Sequence, residues 1–203
     1  MNYGNLRTHF KALLNRSDIT DALANTFIDQ AITRIQRTLR IPVMEKTQTY
    51  SISTQTGSIV VPSDMLDIID LYFDKTVLVR LPLHNMLEAK EAGEAGTPKF
   101  FTRENSNLLI YPEPTTGTVT LNYYGEFAAM SSDSDENMLA KIGSDLICYG
   151  ALGYAADYYL DERTAVFEQK FGTFMRELQE QAHAAEQSGT VQVIRPSVTY
   201  DDH

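Results

Sequence analysis

A single cysteine, Cys148, stands in a chain of 203 residues, which excludes an intramolecular disulfide and every multi-cysteine zinc motif and fits a reducing compartment. Long apolar runs are missing too. No stretch reaches the roughly 18 uninterrupted apolar residues of a spanning helix. Met1 to Phe10, with Arg7 and His9, holds no apolar run of signal-peptide length. The expectation is therefore no membrane partner and no secretion signal. Positive charge is scarce: 17 Lys and Arg face 27 Asp and Glu, a net of −10. Such a surface repels phosphate backbones and lacks the basic stripe with which proteins grip DNA. Glycine (11) and proline (7) are too few for a collagen-like or low-complexity chain, and 43% hydrophobic content can form a real core. At about 150 residues per domain the length suggests one domain with appendages.

The hydrophobic period changes twice along the chain. Leu6, Phe10, Leu13 and Leu14 share one face of a short helix, and polar residues from Asn15 to Asp18 can cap its neighbour. From Thr20 to about Leu39, Leu23, Phe27, Ile28, Ala31, Ile32 and Ile35 recur at three and four residues, with Asp29, Arg34, Gln36 and Arg37 off the stripe. Pro42 stops that helix. Over 47–124 the period falls to two. Tyr50 and Ile52, then Ile59 and Val61, flank Thr56-Gly57 and predict a hairpin. Ile68 to Phe73, Val77 to Leu81, Leu108 to Tyr111 and Thr118 to Tyr124 predict further strands, interrupted by a short helix from Asn85 to Ala92. Gly93 and Gly96-Thr97-Pro98 read as a turn.

After Ser131 the helical period returns. Leu139, Ile142, Leu146, Tyr149, Gly153, Ala156 and Leu160 form one seam over a helix at 136–160, and Gly150 and Gly153 permit close approach of another helix. A last helix over 163–187 turns Phe167, Phe171, Phe174 and Leu178 inward and Glu168, Lys170, Glu177 and Glu180 outward, and Gly189 ends it. The reading is an α+β domain at 1–187: helices over 3–40 and 136–187 close into a bundle, a β-rich lobe at 47–124 is inserted between them, and 188–203 is an extended tail.

Reactive chemistry is hard to find in this pattern. The histidines at 9, 84, 183 and 203 are isolated, with no HExxH pair, and no GxSxG elbow precedes a helix. Gly93 to Gly96 lacks the rest of a phosphate loop. Asp133, Asp135 and Asn137 alternate like the opening of a calcium loop, but Met138 and Ser144 occupy its glycine and glutamate positions. Capping of the following helix by Ser and Asp side chains is the simpler account. Cys148 reads as a packing residue. The pairs Tyr123-Tyr124 and Tyr158-Tyr159 fit an interface or an ordinary core.

Several local patterns occur in a telling order. They are Pro62-Ser63-Asp64-Met65-Leu66-Asp67, Gly96-Thr97-Pro98-Lys99-Phe100-Phe101, Leu108 to Pro114, and Val119 to Tyr124. Ser134 to Leu139, Asp145 to Leu152 and Asp161-Glu162-Arg163 follow, with Leu14 to Asp18 and Ile35 to Arg40 ahead of them. Over about 3–180 the chain resembles the head-to-tail adaptor proteins of short-tailed bacteriophages. It departs from them at Met138, where the family commonly has Trp, and at Lys141-Ile142-Gly143. The tail after about Gln187 lies outside the resemblance.

The resemblance implies a structural protein of the virion, made in the host cytoplasm. In it, copies form a dodecameric ring below the portal vertex and extend the DNA channel. The implied partners are the portal protein, a tail nozzle or tail-tube protein, and tail fibres, while genomic DNA passes through without specific binding. No cofactor, metal or catalytic residue is implied. A metal-dependent hydrolase using Asp133 and Asp135, and an unrelated oligomeric scaffold, are the alternatives. In the tail, Val191, Val193, Ile194, Arg195, Val198 and Tyr200 are the expected contacts to the portal or a neighbouring subunit, because Gly189 frees the segment and no local core is evident for its β-branched side chains. A frayed terminus is the other reading. In a salt titration with duplex DNA the purified chain is expected to bind negligibly at physiological salt; tight, salt-sensitive binding would contradict the charge argument.

Overall fold

The structure, a computed structural model, describes residues 1–93 and 95–187. It opens with α1 (Tyr3–Leu14) and α2 (Asp21–Thr38). The Asn2 side chain accepts from the Asn5 N–H at 2.8 Å, and the Thr20 hydroxyl accepts from the Leu23 N–H at 3.2 Å, so each helix begins on a side-chain cap. Tyr3, Leu6, Phe10 and Leu14 are buried on α1, and Ala24, Phe27, Ile28, Ala31 and Ile35 on α2. Pro42 opens a single 3-10 turn, Pro42–Met44, a few residues after α2 has ended.

The middle of the chain forms β1 (Glu45–Ile52), β2 (Ser58–Val60), β3 (Met65–Phe73), β4 (Thr76–Val77), β5 (Val79–Arg80), α3 (Leu83–Glu91), β6 (Phe100–Glu104), β7 (Asn107–Tyr111) and β8 (Gly117–Gly125). These strands make two four-stranded sheets, ordered β1-β8-β3-β4 and β2-β7-β6-β5. All pairs are antiparallel except β5 with β6. Val119, Leu121 and Tyr123 of β8 meet Leu71 and Phe73 of β3 and Leu108 and Ile110 of β7 in one buried cluster shared by the two sheets.

Residues 45–60 are not the expected hairpin. β1 pairs along its whole length with β8, whereas β2 pairs with β7 in the other sheet. Ile52 and Ile59 both point into the shared core, and the segment between them crosses from one sheet to the other. Gly57 sits where a Cβ would lie 2.5 Å from a Glu113 carboxylate oxygen, and its C=O accepts from the Ile110 N–H at 2.9 Å. The expected strand Val77 to Leu81 is likewise two. Buried Leu78 donates its N–H to the Leu71 C=O, closing the first sheet, and β5 starts the second. β6 is a strand that the sequence reading did not contain, although Phe100-Phe101-Thr102 carries strand-forming side chains.

Three helices complete the chain: α4 (Met138–Ile142), α5 (Ser144–Tyr158) and α6 (Thr164–Gln187). The single helix expected over 136–160 is broken at Gly143, whose backbone (φ −141°, ψ 43°) is off the helical well. The seam is also revised. Ile142 and Leu160 are exposed, while α5 buries Leu146, Ile147, Cys148, Ala151, Leu152, Ala155 and Ala156 around its circumference. It is the central helix, with α1, α2 and α6 packed against it. Their side chains join it in a second core that also takes Leu66 and Tyr124 from the first sheet. The α+β reading with helices of both chain ends in one bundle thus holds; the expected turn of α6 at Gly189 and the tail lie outside the described residues.

Close approach at the α5 glycines is real. A Cβ at position 150 would stand 3.0 Å from both the Ala31 Cβ and the Phe171 ring. Gly150→Val is therefore expected to destabilise by about 1–3 kcal/mol through overpacking, read as a lower urea midpoint with an unchanged m value.

Candidate functional site

The loop before α4 holds the carboxylates that most resemble a ligand set, and the structure shows what each does. The Tyr3 and Gly4 N–H groups at the start of α1 donate to the Asp135 and Asp133 carbonyls at 2.9 and 3.0 Å. Arg7 then binds the Asp133 carboxylate at 2.9 Å and lies 3.6 Å from Asp21, which also pairs with Lys11. The Asp135 carboxylate accepts the Ser131 and Ser132 N–H groups, both at 2.8 Å, and these bonds hold its pKa below the usual range. Asn137, not a Ser or Asp as expected, caps α4 by accepting from the Ala140 N–H at 2.8 Å. The Asp133 carboxylate fastens the loop to α1, and the Asp135 carboxylate closes the loop on itself. Among the described residues no three His, Cys, Asp or Glu side chains are grouped to hold a metal ion.

Two further braces join distant parts of the helical lobe. Arg34 donates two parallel bonds to Glu168, at 2.8 and 2.7 Å, with its guanidinium 4.2 Å over the Phe171 ring. The sequence reading put Arg34 off its stripe and Glu168 outward. Their pairing across 134 residues carries no local signal. Arg163 binds Asp161 and reaches the Leu14 carbonyl at 3.1 Å, closing the end of α1. That bonding holds the Asp161 carboxyl at about 2.

Cys148 is wholly buried, and burial pushes its thiol up to about 12, which suits packing rather than a nucleophile. His84 is exposed, 3.3 Å from Glu88 on the same helix, and His9 and His183 are exposed as well. An open recess of about 670 Å³ lies among loops of the β lobe between Phe73, Thr97 and Pro112; its carboxylate, Glu113, faces Lys90 at 3.6 Å and Gln55 at 3.4 Å. The tyrosine pairs divide. Tyr123 is buried with its hydroxyl 3.1 Å from Asp64, while Tyr158 is exposed beside Phe27 and Tyr159 lies under Arg16.

The expected contact residues Val191, Val193, Ile194, Arg195, Val198 and Tyr200 lie outside the described residues. Near the end of α6 the structure does show an apolar groove of about 440 Å³, lined by Ile41, Pro42, Val43, Ile142, Leu178 and Ala182. No sequence pattern pointed to it, since its walls come from three separated segments. Among the described residues no helix is long and apolar enough to cross a membrane.

What the described residues offer is packing surface and ion-pair braces, the equipment of an assembly component. A family model described as SU10 adaptor protein matches residues 1–194, and the chain belongs to that family. It is a bacteriophage adaptor, a structural protein of the virion, and the resemblance drawn from its motifs is borne out. The match runs past Gln187, where the resemblance was set to end, and takes in Val191, Val193 and Ile194. No curated protein matches the chain.

The Arg34 to Glu168 brace has a pH signature. The bonds to Arg34 depress the Glu168 carboxyl below its ordinary 4.5 in the folded chain. Its contribution is therefore complete above that value and lost as pH falls through the lowered one. Glu168→Gln is expected to cost no more than about 1 kcal/mol at pH 7, the pair being partly exposed, and to make the acid limb of a stability–pH curve shallower.

Proposed function

We propose that copies of this chain form a dodecameric ring that joins the portal to the tail nozzle or tail tube and extends the channel through which DNA is ejected, with tail fibres attached nearby. The observation that carries the reading is the adaptor family match over nearly the whole chain. The bracing of the helical lobe supports it, because a ring subunit needs a rigid body. The net charge of −10 also supports it, since an acidic wall lets DNA slide without adhering. Residues 1–187 serve as the adaptor domain. Residues 188–203 serve as a contact segment, with Val191, Val193, Ile194, Arg195, Val198 and Tyr200 meeting the portal or a neighbouring subunit. The chain catalyses no reaction in this reading.

Solution mass with and without portal-bearing heads tests the proposal directly: the heads are expected to take up a ring of the chain, and failure to bind them would end the reading. Deleting residues 190–203 is expected to leave the melting curve of the free chain nearly unchanged and to weaken attachment to the heads. Undiminished attachment after that deletion would remove the tail from the contact.

A further inference from the structure

Two arginines of the β lobe stand outside the braces described above. Arg80 of β5 has no partner among the described residues. Arg103 of β6 gives only its Nε–H, to the Asn105 carbonyl at 3.3 Å, so its terminal nitrogens have no partner among the described residues. Both arginines line an open recess of about 430 Å³ whose other walls are Leu81, Pro82, Leu83 and Thr102. No carboxylate is in those walls. Glu104, next along β6, lies outside them and forms no ion pair among the described residues.

Thr102 holds a position that the fold of the single chain does not explain. The residue is 3% exposed, yet its hydroxyl has no hydrogen-bond partner among the described residues. Leaving a buried hydroxyl unpaired is costly. Among the described residues no side-chain oxygen is sealed from solvent without a partner, so the Thr102 hydroxyl gives onto the recess that it lines.

The amino end of α3 borders the same recess. Pro82 is its N-cap, no side chain caps it, and no acid stands in its first turn, so its positive end is unanswered within the chain. Two guanidinium groups, a hydroxyl and a helix amino end converge here with no acid among them. That set suits an oxyanion. The recess also has an apolar shoulder: Leu83 in its wall is 38% exposed, and Val79 beside Arg80 is 57% exposed. A carboxylate on a protein segment can use both features. A DNA backbone offers nothing to Leu83, and the net charge of −10 repels it.

The tail carries such a segment, because Asp201 and Asp202 follow Val198 and Tyr200. Residues 188–202 can reach at most about 50 Å from the end of α6 when extended. We propose that the recess binds the acidic end of the tail of a copy of the chain, with Asp201 and Asp202 held by Arg80, Arg103, the Thr102 hydroxyl and the amino end of α3. In an extended segment Tyr200 and Asp202 fall on one side about 7 Å apart, which lets the ring lie on Leu83 while the carboxylate meets the donors. The inference rests on the reading of 188–203 as a contact segment and assigns its acid pair a site on the chain itself.

Fluorescence anisotropy tests it, with a labelled peptide of residues 196–203 and the full chain carrying Asp201→Asn and Asp202→Asn, so that its own tail does not compete. The peptide is expected to bind saturably and to weaken as salt rises, and its own Asp→Asn form should not bind. Arg80→Gln and Arg103→Gln, both at exposed positions, should each weaken binding about tenfold with Tm unchanged. Thr102→Val should weaken it about fivefold, and Thr102→Ser should restore it. Absence of binding, or binding indifferent to Arg80→Gln and Thr102→Val, would overturn the inference. Inorganic phosphate or duplex DNA that displaces the peptide at equal concentration would assign the recess to phosphate and overturn it as well. If deletion of 190–203 weakens attachment to heads while the peptide does not bind, the inference falls and the contact-segment reading stands. Undiminished attachment together with no peptide binding would end both.

Discussion

The close approach of helices at Gly150 is the constraint on which the helical lobe depends. α5 is buried around its circumference, and helices from both ends of the chain must reach it. Ala31 of α2 and the Phe171 ring of α6 meet over position 150 at the distance where a methyl group would already crowd them. Gly153 does the same for a charged neighbour: a Cβ there would stand 2.5 Å from the Glu168 carboxylate. The absence of these side chains lets Glu168 lie across α5 to meet Arg34 on α2. Packing and electrostatics in this lobe are thus one device. Glycine brings α2 and α6 near enough to each other for a bidentate ion pair to bridge them.

Scarce cations are used in the same way elsewhere. Arg7 fastens the loop before α4 to α1, Arg163 closes the α5–α6 corner onto the end of α1, and Lys46 joins Asp64 to the Glu126 carbonyl at the edge of the first sheet. In a chain with ten more acids than bases, cations committed to internal braces are not available as a stripe for phosphates. The fold and the low affinity for DNA expected of an adaptor therefore draw on the same residues.

The β lobe follows a different logic. Its two sheets share one core, and the chain passes between them four times, from β1 to β2, from β2 to β3, from β4 to β5 at Leu78, and from β7 to β8. At Leu78 the alternation of exposed and buried side chains runs on while the strand's partner changes. Buried ends on both sides of a crossing look, to any local reading, like the two arms of a hairpin.

That difference marks what was legible. The positions of α1, α2 and α6, the positions of β3, β7 and β8, and the packing role of Cys148 follow from period and residue type, because helical or strand periodicity is a property of neighbouring residues. The ordered motifs from Pro62 to Arg163 carried the family as well. Partner choice was not legible. Whether β1 pairs with β2 or with β8 depends on which distant strand completes the core, and Arg34 and Glu168 meet only once α2 and α6 are both laid on α5. The break at Gly143 and the exposure of Leu160 belong to the same class: period alone continues a helix and its seam, and only the neighbouring helices determine where the buried surface stops.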